Sequence, residues 1–444
     1  MLASTLNTEN AELCDVLVIG GGPGGATAAA LLAARGRDTV LLEKDAHPRF
    51  HIGESLLPKN MEILDRLGLR ETVAKMGVFK PGAEFVSDIT GDAVAFDFSH
   101  AINAGDASAY QVVRSEFDAL LFAEARRRGV RASERTKVTD LNPVDASGRF
   151  RVTAIDEQGG EARHFAPRFV LDASGRDTFM AGRLKTKQAS KKNNTAAVFA
   201  HFRGAEFRQG DRAGYISVHL ADDGWFWMIP LPGDVMSVGF VGTQKAFKAR
   251  QGSNEAFFET RLRASPTVSA RVAGAERISP VVGTGNYSYR AQASWGENYM
   301  MIGDAFGFVD PVFSSGVLLA MTSGELGAEV ASTWIDDPAR GRQLAQQSER
   351  TMRQAMDRIS WLIHRINKPV LRAMFMSPSN KLRMRDGLVS LLTGNLRGDP
   401  KLYIPVSAFK ATYYLLSALT KFGVRIDVMT PVGQAVTPAP SAKA

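Results

Sequence analysis

The chain has 444 residues, 45% of them hydrophobic and 23% charged, an ordinary globular composition sized for two or three compact units. Its single cysteine, Cys14, excludes an internal disulfide framework and a multi-cysteine metal site, and no metal is expected. The net charge of +8 comes from Lys and Arg spread along the sequence. The densest cluster (126–129) closes an expected helix, so nucleic-acid binding is not expected, and a basic face for an acidic partner or anionic substrate fits better.

The first residues show neither the basic start nor the apolar core of a secretory signal. No run approaches the roughly 18 apolar residues of a membrane span; the single cysteine makes the reducing cytoplasm the expected location. "CDVLVIG" (14–20) is a short apolar run of β type, consistent with a buried parallel strand. "GATAAALLAARG" (25–36) follows as an Ala/Leu helix stopped at Gly36, and "DTVLLEK" (38–44) is a second strand. Together they make one βαβ unit.

Gly20, Gly22 and Gly25 lie between the first strand and the helix as G-x-G-x-x-G. The first glycine makes a tight turn and the second lets backbone approach a pyrophosphate. The third lets helix and strand pack closely. Glu43, at the end of the second strand, is placed to accept from a ribose hydroxyl, which fits NAD or the ADP half of FAD better than NADP.

Further along, 115–129 reads as a helix with Ser115 as N-cap and Asp118 three residues on. Strands are expected at 130–138, 150–155 and 162–171, then at 194–204, 214–221 and 235–243 around "GWFWMIP" (224–230). In that stretch Trp225 and Trp227 fall on one face and Phe226 and Met228 on the other, with Pro230 ending or edging the strand. Residues 298–331 read as strand, loop and helix, and the pattern turns helical after about 340. The tail 430–444, rich in Pro, Ala and Ser, is expected to be mobile.

"FVLDASGRD" and "MMIGDAFGFVDP" are two more strand-to-loop turns of the kind FAD proteins use, and in the second Asp304 follows a strand and Gly303. Three such segments spread over 300 residues indicate a flavin, because a nicotinamide dehydrogenase concentrates them in one contiguous domain. The "SSGV" turn before the next helix offers the backbone N–H groups of Ser315 and Gly316 to an anion, and a helix cap by Ser314 or Ser315 is compatible with that role. His47 and His51 flank Pro48 and cannot form a helical metal pair; His51 reads as loop or flavin-adjacent structure.

With these segments in place the chain resembles the flavin-dependent halogenases, within the FAD-dependent monooxygenases, from about residue 14 to residue 400. The resemblance rests on "GGGPGG" (20–25), "FHIGESLLP" (50–58), "FKPGAEF" (79–85), "WFWMIP" (225–230) and "GDAFGFVDPVFSSG" (303–316). The family's W-x-W-x-I-P motif is intact as Trp225, Trp227, Ile229 and Pro230. Its F-x-x-P-x-x-S-x-G pattern is intact as Phe308, Pro311, Ser314 and Gly316. Where related hydroxylases carry a histidine after G-D-A, this chain has Phe306.

The resemblance implies an α/β fold: a Rossmann-like FAD-binding domain with an inserted antiparallel-sheet substrate domain and a helical C-terminal region. The FAD-binding part would take 1–80, 110–190 and 280–335, the substrate-side sheet 81–109 and 191–279, and the helices 336–429. The cofactor contacts it implies are Gly20, Gly22, Gly25, Glu43 and Lys44; Gly53, Glu54 and Ser55; Arg114 and Ala173; and Asp304, Pro311 and Gly316. Ser315 and Gly316 would hold chloride or bromide.

It further implies that FADH2, supplied by a separate NAD(P)H-dependent flavin reductase, uses O2 and halide to make hypohalous acid. That oxidant would travel through a tunnel walled by Trp225 and Trp227 to a lysine. Lys80 opens "KPGAEF", the family's lysine position, and the following Pro81 biases it to extended backbone. Lys59 and Lys75 fall in a helical stretch, with Lys75 read as solvated. Lys80 would carry the halogen as a chloramine, or hydrogen-bond and polarise the hypohalous acid; both stay open.

Tryptophan halogenases have a glutamate before the paired residue of the halide turn, where this chain has Phe313 and Ser314. That points away from free tryptophan, toward a pyrrole or phenol, free or tethered to an acyl or peptidyl carrier protein. "SLLTGN" (390–395) resembles the pyrrole and phenol group too. Two other readings are a FAD-dependent aromatic hydroxylase or epoxidase, and a silent flavoprotein that docks a carrier protein.

Overall fold

A computed structural model of the chain describes residues 11–103, 105–143, 148–157, 159–189, 195–285 and 288–422. The expected mobile tail, 430–444, lies outside the described residues.

The first sheet is centred on the strand Glu12–Ile19. Thr39–Leu42 and then Arg131–Ser133 run parallel to it on one side, with Ala162–Asp172 and Tyr299–Met301 on the other. Val16, Leu17 and Val18 are fully buried, because both faces of this sheet are covered. An antiparallel pair, Thr136–Asn142 with Arg151–Asp156, attaches to the start of Ala162–Asp172. The helix Pro23–Ala34 presents small side chains, so the long helix Ser315–Asp336 lies close against it. A Cβ on Gly324 would stand 2.4 Å from the carbonyl oxygen of Gly24.

The helix expected at 115–129 begins one residue earlier, as Arg114–Arg127. Val113 is its N-cap and no side chain caps it. Ser115 therefore sits inside the first turn, and Asp118 bonds to Arg114 instead of completing a capping box.

The second sheet runs Thr195–Arg203, Val235–Thr243, Gly224–Leu231, Ile216–Ala221, Gly82–Ser87, Ala93–Asp97. Ile216–Ala221 pairs with Gly82–Ser87 in parallel, which ties the segment just after Lys80 into the sheet. Gly224–Leu231 is interior to the sheet and runs one residue past Pro230, which therefore does not end it but does sit at a local edge. Pairing with Ile216–Ala221 stops at Met228, so the missing N–H of Pro230 falls where that neighbour has already left.

The helix Pro338–Ile363 buries a stripe through Ala345, Met352, Met356, Ile359 and Ile363. Pro369–Met376, Met384–Leu392 and Tyr403–Lys421 follow it. Phe375 packs on Phe85 of the second sheet at 4.6 Å between rings. One apolar core runs from Leu17 and Val170 through Trp225 and Trp227 to Leu388, so the two sheets and these helices share it. Among the described residues no helix is long and apolar enough to cross a membrane.

Candidate active site

A cavity of about 720 Å³ opens between the two sheets. The turn after the first strand brings Gly20 and Gly22 to its wall, and the end of the second strand brings Glu43 and Lys44. Gly53, Glu54 and Ser55 come from the following loop. Arg114, Ala173, Asp304 and Gly316 arrive from further along the chain. Gly20 has φ +99°, and a Cβ there would stand 2.4 Å from the carbonyl oxygen of Ala173, so two strand ends are pressed together at this point.

Gly25 does not line the cavity. A Cβ on it would stand 1.9 Å from the carbonyl oxygen of Gly20, so it serves the close packing of helix on turn. Pro311 begins the short turn Pro311–Phe313, and its side chain lies outside the described residues. Ser315 is wholly buried behind the wall.

The polar groups of the wall are held by named neighbours. Glu43 Oε2 accepts from the N–H of Gly21 at 2.6 Å and Oε1 from that of Asp45 at 2.9 Å, with the Arg49 guanidinium 3.5 Å away. The carboxylate expected to meet a ribose thus already secures the glycine turn, with lone pairs to spare. Arg114 donates to both oxygens of buried Asp118 (2.9 and 3.0 Å) and to the carbonyl of Ile52 (2.7 Å). It clamps the loop that carries Glu54 and Ser55.

Glu54 Oε1 lies 2.7 Å from His201 Nε2. Its Oε2, like the Ser55 hydroxyl, is buried with no partner among the described residues. Asp304 is enclosed by protein yet faces the cavity, and burial pushes its carboxyl up to about 6. His51 also lines the cavity; burial pulls it down to about 4, and its Nδ1–H donates to the Ile52 carbonyl at 2.8 Å, leaving Nε2 as an acceptor.

These residues fit a dinucleotide flavin. A Cβ on Gly22 would meet nothing nearer than 3.7 Å and one on Gly316 nothing at all, so both leave room for a ligand beside backbone N–H groups at helix N-termini. The orphaned oxygens of Glu54 and Ser55 supply acceptor and donor capacity in the same wall.

Lys80 stands apart from that wall. It ends the strand Val78–Lys80, where alternation exposes Phe79 and turns Lys80 inward to 1% exposure. Its Nζ donates to the carbonyl of Leu56 at 2.9 Å and lies 5.3 Å from the centre of the Phe98 ring. Burial alone pushes the amine down to about 7. By contrast Lys75 is exposed and Lys59 is ion-paired with Glu62.

A second cavity, of about 20 Å³, adjoins Lys80. Its walls include Leu57, Phe85, Phe98, Phe313 and Leu392, and it holds room for little more than a water. Ile216, Val312 and Ser314 line both cavities.

Trp225 and Trp227 line the large cavity with their rings 6.0 Å apart, and neither touches the small one. Trp227 Nε1 donates to Ser237 Oγ at 3.1 Å, and its ring occupies the space a Cβ on Gly239 would need. Phe226 and Met228 point into a separate apolar cluster with Phe240. Ser314 is the N-cap of Ser315–Asp336, with φ +56° and no side-chain capping bond. The Ser315 hydroxyl has no partner among the described residues either, so neither serine caps the helix through its side chain.

Asp118, expected only as a helix-capping partner, belongs to the site through Arg114, and His201, Ile216 and Val312 join it without having been expected there. An (i, i+4) Arg–Asp pair was readable for Asp118. The others come to the site through pairings between distant strands and turns.

The FAD binding domain family matches residues 13–332. A tryptophan 2-halogenase of Chondromyces crocatus is 35% identical over 319 residues, 70% of this chain and 60% of that protein's length. The flavin-dependent halogenase armH3 of Armillaria mellea is 34% identical over 342 residues, 72% of this chain and 68% of the relative. Among solved structures, a flavoprotein/dehydrogenase from Cytophaga hutchinsonii superposes with a TM-score of 0.82 at 27% identity, covering 93% of this chain and all of that one. The flavin-dependent halogenase CmlS superposes with a TM-score of 0.76 at 29% identity, covering 94% of this chain and 74% of CmlS.

Proposed function

We propose, from the premise that this chain belongs to the flavin-dependent halogenases, that it catalyses FADH2- and O2-dependent chlorination or bromination of an electron-rich aromatic. The observation that carries the reading is Lys80, a sealed amine with its pKa near neutrality, in a cavity that shares a wall with the flavin-sized one. Bound FAD, reduced by a separate flavin reductase, supplies two electrons, so that FADH2, O2, halide and a proton yield FAD, hypohalous acid and water.

This chain's own residues do the rest. The N–H groups of Ser315 and Gly316 hold the halide at the start of a long helix. Gly20, Gly22, Glu43 and the Arg114-clamped loop hold the cofactor. Trp225 and Trp227 exclude organic substrate from the large cavity, and Ile216, Val312 and Ser314 form the partition toward Lys80. With burial pushing its amine down to about 7, Lys80 has both protonation states within reach near neutral pH. The neutral amine takes halogen from hypohalous acid, forming an N–halogen bond and releasing water; the protonated amine hydrogen-bonds the acid's oxygen. In either state the halogen reaches an aromatic carbon, which gives up its proton.

The substrate we propose is a pyrrole or phenol, free or on a carrier protein. The lining residues of the Lys80 cavity include no carboxylate to pair with an amino acid's ammonium, which supports that choice. Admitting any ring requires the walls of that cavity to move apart.

The test combines the purified chain with FAD, a flavin reductase, NADH and chloride or bromide, against free and carrier-bound pyrroles and phenols, with products read by isotope pattern. Halogenated product is expected from the wild type and none from Lys80→Ala, with reduced-flavin oxidation close to normal in both. Hydroxylated product, or halogenation at the wild-type rate by Lys80→Ala, defeats the reading.

A further inference from the structure

The large apolar side chains left in solvent are concentrated near the C-terminal helix. Tyr403, Ile404, Tyr414, Leu415 and Leu419 lie on the helix Tyr403–Lys421 and Phe422 just past it; Ile404 is 67% exposed and Phe422 85%. Ile404, Ala411, Leu415 and Phe422 recur at seven, four and seven residues and so share one stripe. Pro405, Phe409 and Tyr413, four residues apart, form a different stripe and are buried. The helix is apolar on two faces, and among the described residues one of them is uncovered.

The stretch of sequence that carries this helix is also the most basic part of the chain. Lys and Arg are spread along the sequence, but Asp and Glu are scarce between 358 and 422: eleven basic residues against two acidic give +9 there. The whole chain carries +8, so everything else sums to −1. Lys401 and Lys421 stand at the two ends of the stripe. Leu382, also exposed, lies between Lys381 and Arg383 on a neighbouring turn.

We propose that this face is a peripheral docking surface for an anionic lipid bilayer. A second copy of the chain would bring like charge against like. The apolar side chains protrude into solvent, and a deformable acyl layer accepts such protrusions without fitted pockets. Tyrosines and lysines at the edge of an apolar stripe suit the headgroup level, where long side chains bury their stems and keep their charges in water. The surface is independent of the proposed reaction.

Co-sedimentation of the full chain with phosphatidylcholine vesicles, with and without phosphatidylglycerol, tests it. Binding is expected on the anionic vesicles, falling as salt is raised. Leu415→Ser with Phe422→Ser is expected to weaken partition about tenfold or more. Lys401→Gln with Lys421→Gln is expected to weaken it about tenfold on anionic vesicles. FAD binding and the cooperative melt should be unchanged in both, since all four side chains are exposed. No vesicle binding by folded, FAD-loaded protein overturns the proposal, as does binding that the apolar substitutions leave intact. A dimer dissociated by Phe422→Ser, without vesicle binding, assigns the face to a second copy. Salt-sensitive binding to polyglutamate but not to vesicles assigns it to an acidic protein.

Discussion

The two cavities share Ile216, Val312 and Ser314 and differ in nearly everything else. Around the larger one, polar groups are tied down in company: Glu43 by two backbone N–H groups, Arg114 by Asp118 and the Ile52 carbonyl, Glu54 by His201. Around the smaller one a single amine faces mainly apolar side chains with one carbonyl to donate to. The first arrangement fixes positions by many partners and suits holding a large ligand. The second withholds partners and changes the proton affinity of one group, which suits chemistry.

Substitutions can separate the two. Gly25→Val strikes the large cavity hardest, because its Cβ collides with backbone at Gly20 that has nowhere to move. A loss of about 4 kcal/mol or more is expected, read as a collapsed melting temperature and no retained FAD. Asp118→Ala leaves the Arg114 guanidinium buried without its carboxylate; about 3–5 kcal/mol of stability should go, with FAD affinity, in denaturant titrations and flavin fluorescence. If FAD affinity survives that loss, the clamp does not serve the cofactor loop.

Lys80→Met should act only on the small cavity. The unfolded chain holds this lysine near its ordinary 10.5 and the folded chain near 7. Between those values the unfolded state binds a proton the folded state has released, so wild-type stability rises with pH across that window, by up to about 1.4 kcal/mol per unit. Below pH 7 the full burial penalty applies. Lys80→Met should remove that slope while FAD binding stays at the wild-type level, as denaturant melts at several pH values will show. Ser237→Ala, the mildest change, strands the Trp227 N–H in the wall; about 1–2 kcal/mol is expected in the melt, with Lys80 titrating as before.

The glycine turn, the extended backbone at Lys80 and the paired tryptophans were legible because each is fixed by residues within a few positions, whereas the role of Lys80 came from the family resemblance and its burial from the structure. Glycines mark a turn, a following proline extends the backbone, and alternation assigns faces. Ser115 misled for the same reason: its spacing to Asp118 suits a cap, but buried Arg114 offers Asp118 a stronger partner one turn back. Pro230 marked the local edge of its strand, but that the strand is otherwise interior depends on where the neighbouring strand stops, which the local sequence does not record. His201 and Ile216 reach the site through strand pairings and turns far from the motifs they join, so no local pattern marks them.

The seal around Lys80 also sets how it meets reagents from outside. An amine pushed down to about 7 is more often neutral near that pH, and so more nucleophilic, than a solvated lysine, yet there is room for little more than a water beside it. Its acylation rate is therefore governed by how often the wall parts, and a bulky acylating agent should label it only during openings. Tracking that one modification by peptide mass turns Lys80 into a clock for the breathing of the walls around it.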